Sequence, residues 1–153
     1  MWGTLEGVRK YHMGRLGWDE VGYHFVITNG NPGPSRDDGV DRRPKMAEDG
    51  RIWQGRPLDV RGAHVRGYND GNVGIAMVGR PGRMTQAQLV AALRLTAGLC
   101  VQHDIPHSEV RGHYELDASK TCPGLDMNLA RAALFALLDT DPGALLEGKP
   151  DEQ

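Results

Sequence analysis

Six consecutive residues, Val73-Gly74-Ile75-Ala76-Met77-Val78, form a near-continuous apolar run. So short and so apolar a run reads as a β-strand covered on both faces, because a strand wet on one side alternates apolar with polar residues. Covering two faces calls for helices, and the chain supplies candidates. The clearest is Met84–His103, where Thr85 is a fitting N-cap and Leu89, Ala92, Leu93, Thr96 and Leu99 make a buried stripe. Cys100 falls on the same spacing, so its expected role is packing.

Residues 4–15 read as an amphipathic helix with Leu5, Val8, Tyr11 and Leu16 on one side, closed by Gly17. Tyr23–Thr28 is rich in aromatic and β-branched residues and reads as a strand. Residues 29–48 hold Pro32, Pro34 and Pro44 among glycines and polar residues, the signature of a long loop. Asp49-Gly50 signals a turn into a second strand at Arg51–Gly55. A short strand is expected to end near Arg111. A last helix is expected from Asp126, with Leu129, Ala133, Leu134, Leu137 and Leu138 along it. The fold class is therefore α/β: a single domain, a mixed β-sheet flanked by helices, over residues 1–138. Residues 139–153, with five acids, one lysine and two prolines, read as an acidic, flexible tail.

Composition narrows the function classes. Eighteen basic against 20 acidic residues give no electrostatic case for a nucleic-acid partner. No apolar run approaches the ~20 residues that cross a bilayer, so no membrane partner is expected. Two cysteines, Cys100 and Cys122, are no disulfide framework, although a bridge between them stays open as an alternative. A chain without a signal-peptide core is expected in a reducing cytoplasm, and as a monomer.

The chemistry concentrates in Arg111-Gly112-His113 and Lys120-Thr121-Cys122-Pro123-Gly124. Neutral imidazole and thiolate are the donors zinc prefers, and a catalytic zinc takes three protein ligands and leaves one position to water. His113 and Cys122 are accordingly the candidate zinc ligands. Lys120, two residues before the cysteine, can hold a cation close to that candidate metal, where a fixed charge would stabilise a developing anion. A loop histidine, a buried thiol and a solvated lysine are the blander readings of the same three residues.

Two further stretches sharpen this: Gly22-Tyr23-His24-Phe25 and Gly62-Ala63-His64-Val65-Arg66-Gly67-Tyr68-Asn69. With Gly17-Trp18, Asp49-Gly50-Arg51-Ile52-Trp53-Gln54-Gly55-Arg56, the 73–79 run and the 113–124 loop, the chain resembles the type-2 N-acetylmuramoyl-L-alanine amidases from about Leu5 to Leu138. That family includes small phage lysozymes of the amidase kind and the peptidoglycan recognition proteins. The resemblance implies a zinc cofactor and a peptidoglycan or muropeptide partner. It implies hydrolysis of the amide between N-acetylmuramic acid and L-alanine. It sets Tyr23 beside the metal-bound water and Lys120 on the oxyanion, both as catalytic residues, and His64 and Asn69 on a loop bordering the substrate groove. Strand alternation would then turn His24 away from Tyr23, into a core or second layer. His12 is expected to be structural.

The resemblance also implies a first zinc-ligand histidine on a strand preceding the first helix, and only Met1-Trp2-Gly3 precede that helix here. Three readings stay open: a truncated copy or an upstream start, replacement of the ligand by His64 or His12, or a relative that binds cell-wall fragments without cutting them. The expected context is a phage or prophage lysin held in the cytoplasm until it is released to the wall.

Overall fold

The computed structural model describes residues 4–31 and 46–140. Most of the expected 29–48 loop, and the tail beyond Thr140, lie outside them. The first helix, α1 (Leu5–Arg9), opens on Thr4, whose Oγ1 accepts from the Gly7 N–H at 3.2 Å. It then widens into a π-helical turn over Lys10–Arg15. The wider turn changes which side chains face inward: after Val8 the next buried residue is His12, while Tyr11 and Leu16 are exposed. Even α-helical spacing, with Tyr11 inward, is therefore not what the chain adopts. Gly17 ends the element with φ +69°, as its position implied.

Three strands form one mixed sheet in the order β2-β1-β3. Strand β1 (Phe25–Asn29) is central, antiparallel to β2 (Asp49–Gln54) and parallel to β3 (Ile75–Met77). The register pairs Phe25 with Gln54 on one side and with Ile75 on the other. Phe25 through Thr28 are all buried, so the strand covered on both faces is β1. The 73–78 run supplies β3 instead, with its three residues half-buried, because among the described residues β1 is its one sheet neighbour.

Helix α2 (Gln86–Gln102) begins with a reciprocal cap. Thr85 Oγ1 accepts from the Gln88 N–H, and Gln88 Oε1 accepts from the Thr85 N–H, each at 3.1 Å. Gln88 is fully buried where the stripe argument placed Leu89, which is exposed. Its Nε2 donates to the carbonyls of Ile27 and Val78 at 3.0 Å each, tying the helix start to the middle of β1 and to the residue that follows β3. A buried amide with every bond made costs little, whereas the same amide facing apolar groups would cost several kcal/mol.

No strand forms near Arg111. The chain makes a 3₁₀ turn at His107–Glu109, then runs extended into the short helix α3 (His113–Leu116) without a sheet neighbour among the described residues. Helix α4 (Met127–Thr140) starts where expected, with Asp126 Oδ1 accepting from the N–H groups of Asn128 and Leu129. Leu134 is buried against Ala97 and Cys100, with Leu137 and Leu138 partly buried beside them. Leu129 and Ala133 lie exposed, and Met127 takes the inward position at the helix start. Val8, Val21, Val26 and Val78 form the other cluster. Both cysteines are free thiols, which removes the alternative of a Cys100–Cys122 bridge, and Cys100 has the packing role expected of it.

Candidate functional site

His113 is the first residue of α3, and the turn that carries it is fixed from behind. Glu115 Oε2 accepts from the Gly112 N–H at 2.7 Å, and Arg131 on α4 grips the same carboxylate through both Nη atoms, at 3.0 and 3.1 Å. Arg131 Nη1 also donates to the Val110 carbonyl at 2.9 Å. The Arg131 guanidinium holds the Glu115 carboxyl below its usual range. One fork thus ties the approach to His113, its capping residue and α4 together.

Cys122 arrives from the other side of a tight loop. Asp117 Oδ1 accepts from both the N–H and the hydroxyl of Ser119, the Lys120 N–H returns to the Asp117 carbonyl, and the Tyr114 N–H bonds the Cys122 carbonyl at 3.1 Å. Gly124 has φ +73°, and a Cβ there would meet Gly82 N at 2.3 Å, so glycine alone fits this approach. The outcome is a contact of 3.2 Å between Cys122 Sγ and His113 Nδ1. Burial and the Lys120 ammonium, partly opposed by the Asp117 carboxylate, lower the His113 pKa and favour the neutral imidazole that a metal needs.

Tyr23 completes the wall of the site. It precedes β1, is half-buried, and its ring stacks on His64 with centroids 5.9 Å apart. Burial raises its phenol pKa, and the nearby Cys122 raises it further, so the phenol is protonated at neutral pH. His24 approaches the same His64 ring edge-on, also at 5.9 Å. Strict alternation therefore does not hold at positions 23 and 24, which lie just ahead of the regular strand. His24 is committed at both nitrogens: Nδ1 accepts from the Gly74 N–H and Nε2 lies 2.9 Å from the Val60 carbonyl. Those partners fix the Nε2–H tautomer and make His24 a buried tie between loops.

His64 fills a cradle of two glycines. A Cβ on Gly62 would stand 2.6 Å from His64 Nε2, and one on Gly74 2.3 Å from His64 Cδ2. Its Nε2 is buried and makes no hydrogen bond among the described residues. Burial, then the neighbouring His24, keep its pKa low. Asn69 uses its side-chain oxygen inside the loop, accepting from the N–H groups of His64 and Val65 at 2.9 Å each. It holds the His64 turn in shape, and that oxygen is spoken for before any ligand arrives.

Two further residues belong to this neighbourhood. His12, expected to be structural and also open as a replacement ligand, is buried with its ring 5.8 Å from Tyr23 and 4.8 Å from Trp18, and its Nδ1 accepts from the Gly22 N–H. Arg56 was passed over entirely, yet Nε donates to the Val21 carbonyl at 2.8 Å and Nη1 to the Arg61 carbonyl at 2.7 Å. The single sequence signal for it was its place at the end of the Gly55-Arg56 motif.

By donor type and mutual contact, His113 and Cys122 fit two corners of a tetrahedral zinc. Among the described residues no group of three or more His, Cys, Asp or Glu side chains is gathered to hold a metal. His12 and His64 as found are thus not assembled with the pair, and the ligand set here is a half-site. The structure does bring Tyr23, His64, His113 and Cys122 into one neighbourhood, with Lys120 at its exposed rim.

Residues 4–125 match the family model described as N-acetylmuramoyl-L-alanine amidase. The chain is 32% identical over 127 residues to an endolysin of Klebsiella phage KP32, covering 78% of this chain and 69% of that one. It is 27% identical over 125 residues to peptidoglycan-recognition protein SC2 of Drosophila melanogaster, covering 80% of this chain and 58% of the relative's length. Among solved structures it resembles the ectodomain complex of peptidoglycan recognition proteins LCa and LCx bound to tracheal cytotoxin. That match has 30% identity and a TM-score of 0.56, over 78% of this chain and 62% of that one. Drosophila PGRP-LB is similar at 28% identity and a TM-score of 0.57, over 88% and 65% of the two chains.

Proposed function

The chain belongs to the N-acetylmuramoyl-L-alanine amidase family, and from that premise and the site we propose that it hydrolyses the amide between N-acetylmuramic acid and L-alanine in peptidoglycan. The observation that carries the reading is the 3.2 Å contact between His113 Nδ1 and Cys122 Sγ, close enough to Tyr23 for Cys122 to act on its phenol. Zinc is the proposed cofactor, held through those two atoms, and when bound it would supply a polarised carbonyl and an activated water.

The chain's own residues do the rest. The protonated Tyr23 phenol donates a hydrogen bond to the oxygen that gains charge as the amide is attacked. Lys120, exposed at the rim, adds a positive charge near the site and, after burial, helps hold His113 neutral. His64, shaped by Asn69, borders the groove where sugar or peptide would lie. A phage lysin is the proposed context, made in the cytoplasm and acting on the wall once released, with an endolysin among the relatives in support.

The half-site favours a second reading, recognition of muropeptide without cleavage, since two donors bind zinc less firmly than three. A complex of peptidoglycan recognition proteins bound to tracheal cytotoxin, among the similar structures, supports it. Release of free amino termini from purified peptidoglycan separates the two. An increase that EDTA abolishes supports hydrolysis; retention on peptidoglycan with no new amino termini supports recognition and removes the enzymatic proposal.

A further inference from the structure

Arg56 is a half-buried cation bonded into the walls of the site, and nothing in the proposed chemistry uses it. It leaves β2 immediately after Gly55, where a Cβ would stand 2.3 Å from the Tyr23 carbonyl oxygen. That close crossing fixes where the Arg56 side chain starts. Its own N–H donates to the Tyr23 carbonyl at 3.0 Å, Nε to Val21 at 2.8 Å and Nη1 to Arg61 at 2.7 Å. A fourth bond, from the Ala63 N–H to the Gly22 carbonyl at 2.8 Å, closes the same seam. One residue therefore joins the 21–23 segment, which delivers Tyr23, to the 61–64 loop, which delivers His64.

We propose that Arg56 is a positioning residue: its guanidinium fork sets the distance between the Tyr23 segment and the His64 loop, and hence the stacking of the two rings. The inference rests on the amidase reading for its effect on rate, and on geometry alone for its effect on placement. A rigid planar donor set that spans two carbonyls is a property of arginine. An ammonium on a flexible stem keeps the charge and loses the span. Both imidazoles that line the seam, His12 and His64, also feel the Arg56 charge, so the residue works against a second positive charge there. The other charged or titratable groups acting on His64 are His24 and His113.

The test compares Arg56→Lys and Arg56→Gln with the unchanged chain and with Gln88→Ala, a packing change at the start of α2. Ring resonances of Tyr23 and His64 are read by NMR, and kcat and KM are read on a muropeptide amide. The proposal expects the Tyr23 and His64 signals to move in both Arg56 variants and to stay in Gln88→Ala. It expects kcat to fall about tenfold or more in Arg56→Lys with KM within about twofold, since a small misplacement of a catalytic wall costs rate more than binding. Unmoved ring signals in Arg56→Lys overturn the proposal. So do signals that move equally in Gln88→Ala, or a rate that falls only in step with the folded fraction. If the unchanged chain releases no product, the amidase reading has failed separately, and the ring signals alone decide whether Arg56 positions the wall.

Discussion

Of the six residues singled out from the sequence, the structure treats His113 and Cys122 most simply: they touch. Tyr23 and Lys120 flank them. Asn69 is turned inward to its own loop, and His64 lies between glycines. This division was partly legible beforehand, because a metal-loving pair in one short loop needs no knowledge of the fold. The internal use of Asn69 was not, since an Asn that caps a turn and an Asn that meets a sugar look alike in sequence. If the Tyr23 phenol donates to a developing oxyanion, Tyr23→Phe should lower kcat by about 10²-fold or more while muropeptide binding changes little. A kcat within about threefold of the unchanged chain would remove Tyr23 from the chemistry. Acid should also matter. His12, His64 and His113 all have pKa values lowered below 6.5 in the folded chain, so the unfolded chain takes up more protons near that value. Their contribution is complete above about pH 6.5 and is lost as pH falls through the lowered folded values. Calorimetry should show Tm dropping between about pH 7.5 and 5.5, where Asp and Glu are still ionised; a flat or rising Tm would contradict this.

Elements were legible where one local rule governed them, and misread where a neighbour decided. The cap at Thr85, the stop at Gly17 and the start at Asp126 follow from single residues and stand as expected. Which strand lies at the centre depends on partners far away in sequence, and so 73–78 was assigned the cover that β1 receives. The π-helical turn at 10–15 and the buried Gln88 have the same origin: tertiary demands that outvote periodicity. Gln88 offers the clearest check at this scale. Gln88→Ala removes the donors to Ile27 and Val78 and half of the reciprocal cap; the Ile27 carbonyl keeps the Val78 N–H, while the Val78 carbonyl loses the Gln88 donor. Denaturant unfolding should show a loss of about 2–4 kcal/mol. A loss under about 0.5 kcal/mol would mean that the helix start is not tied to the sheet in this way.

For the molecule as a whole, a three-stranded mixed sheet and its helices bring together loops 21–24, 61–69 and 113–124, which are scattered along the chain. The order of those motifs was enough to place the chain in its family, and the family model matches residues 4–125. What the motifs left undecided is whether the assembled site closes around a metal, because that depends on a third donor that the described residues do not gather. The central claim, that His113 and Cys122 hold a catalytic zinc, is met most directly by elemental analysis of the purified chain with Cys122→Ser beside it. About one zinc per chain, lost in the variant, is the expected result. A chain that carries no zinc after saturation and buffer exchange, or one whose zinc survives the loss of Cys122, contradicts it.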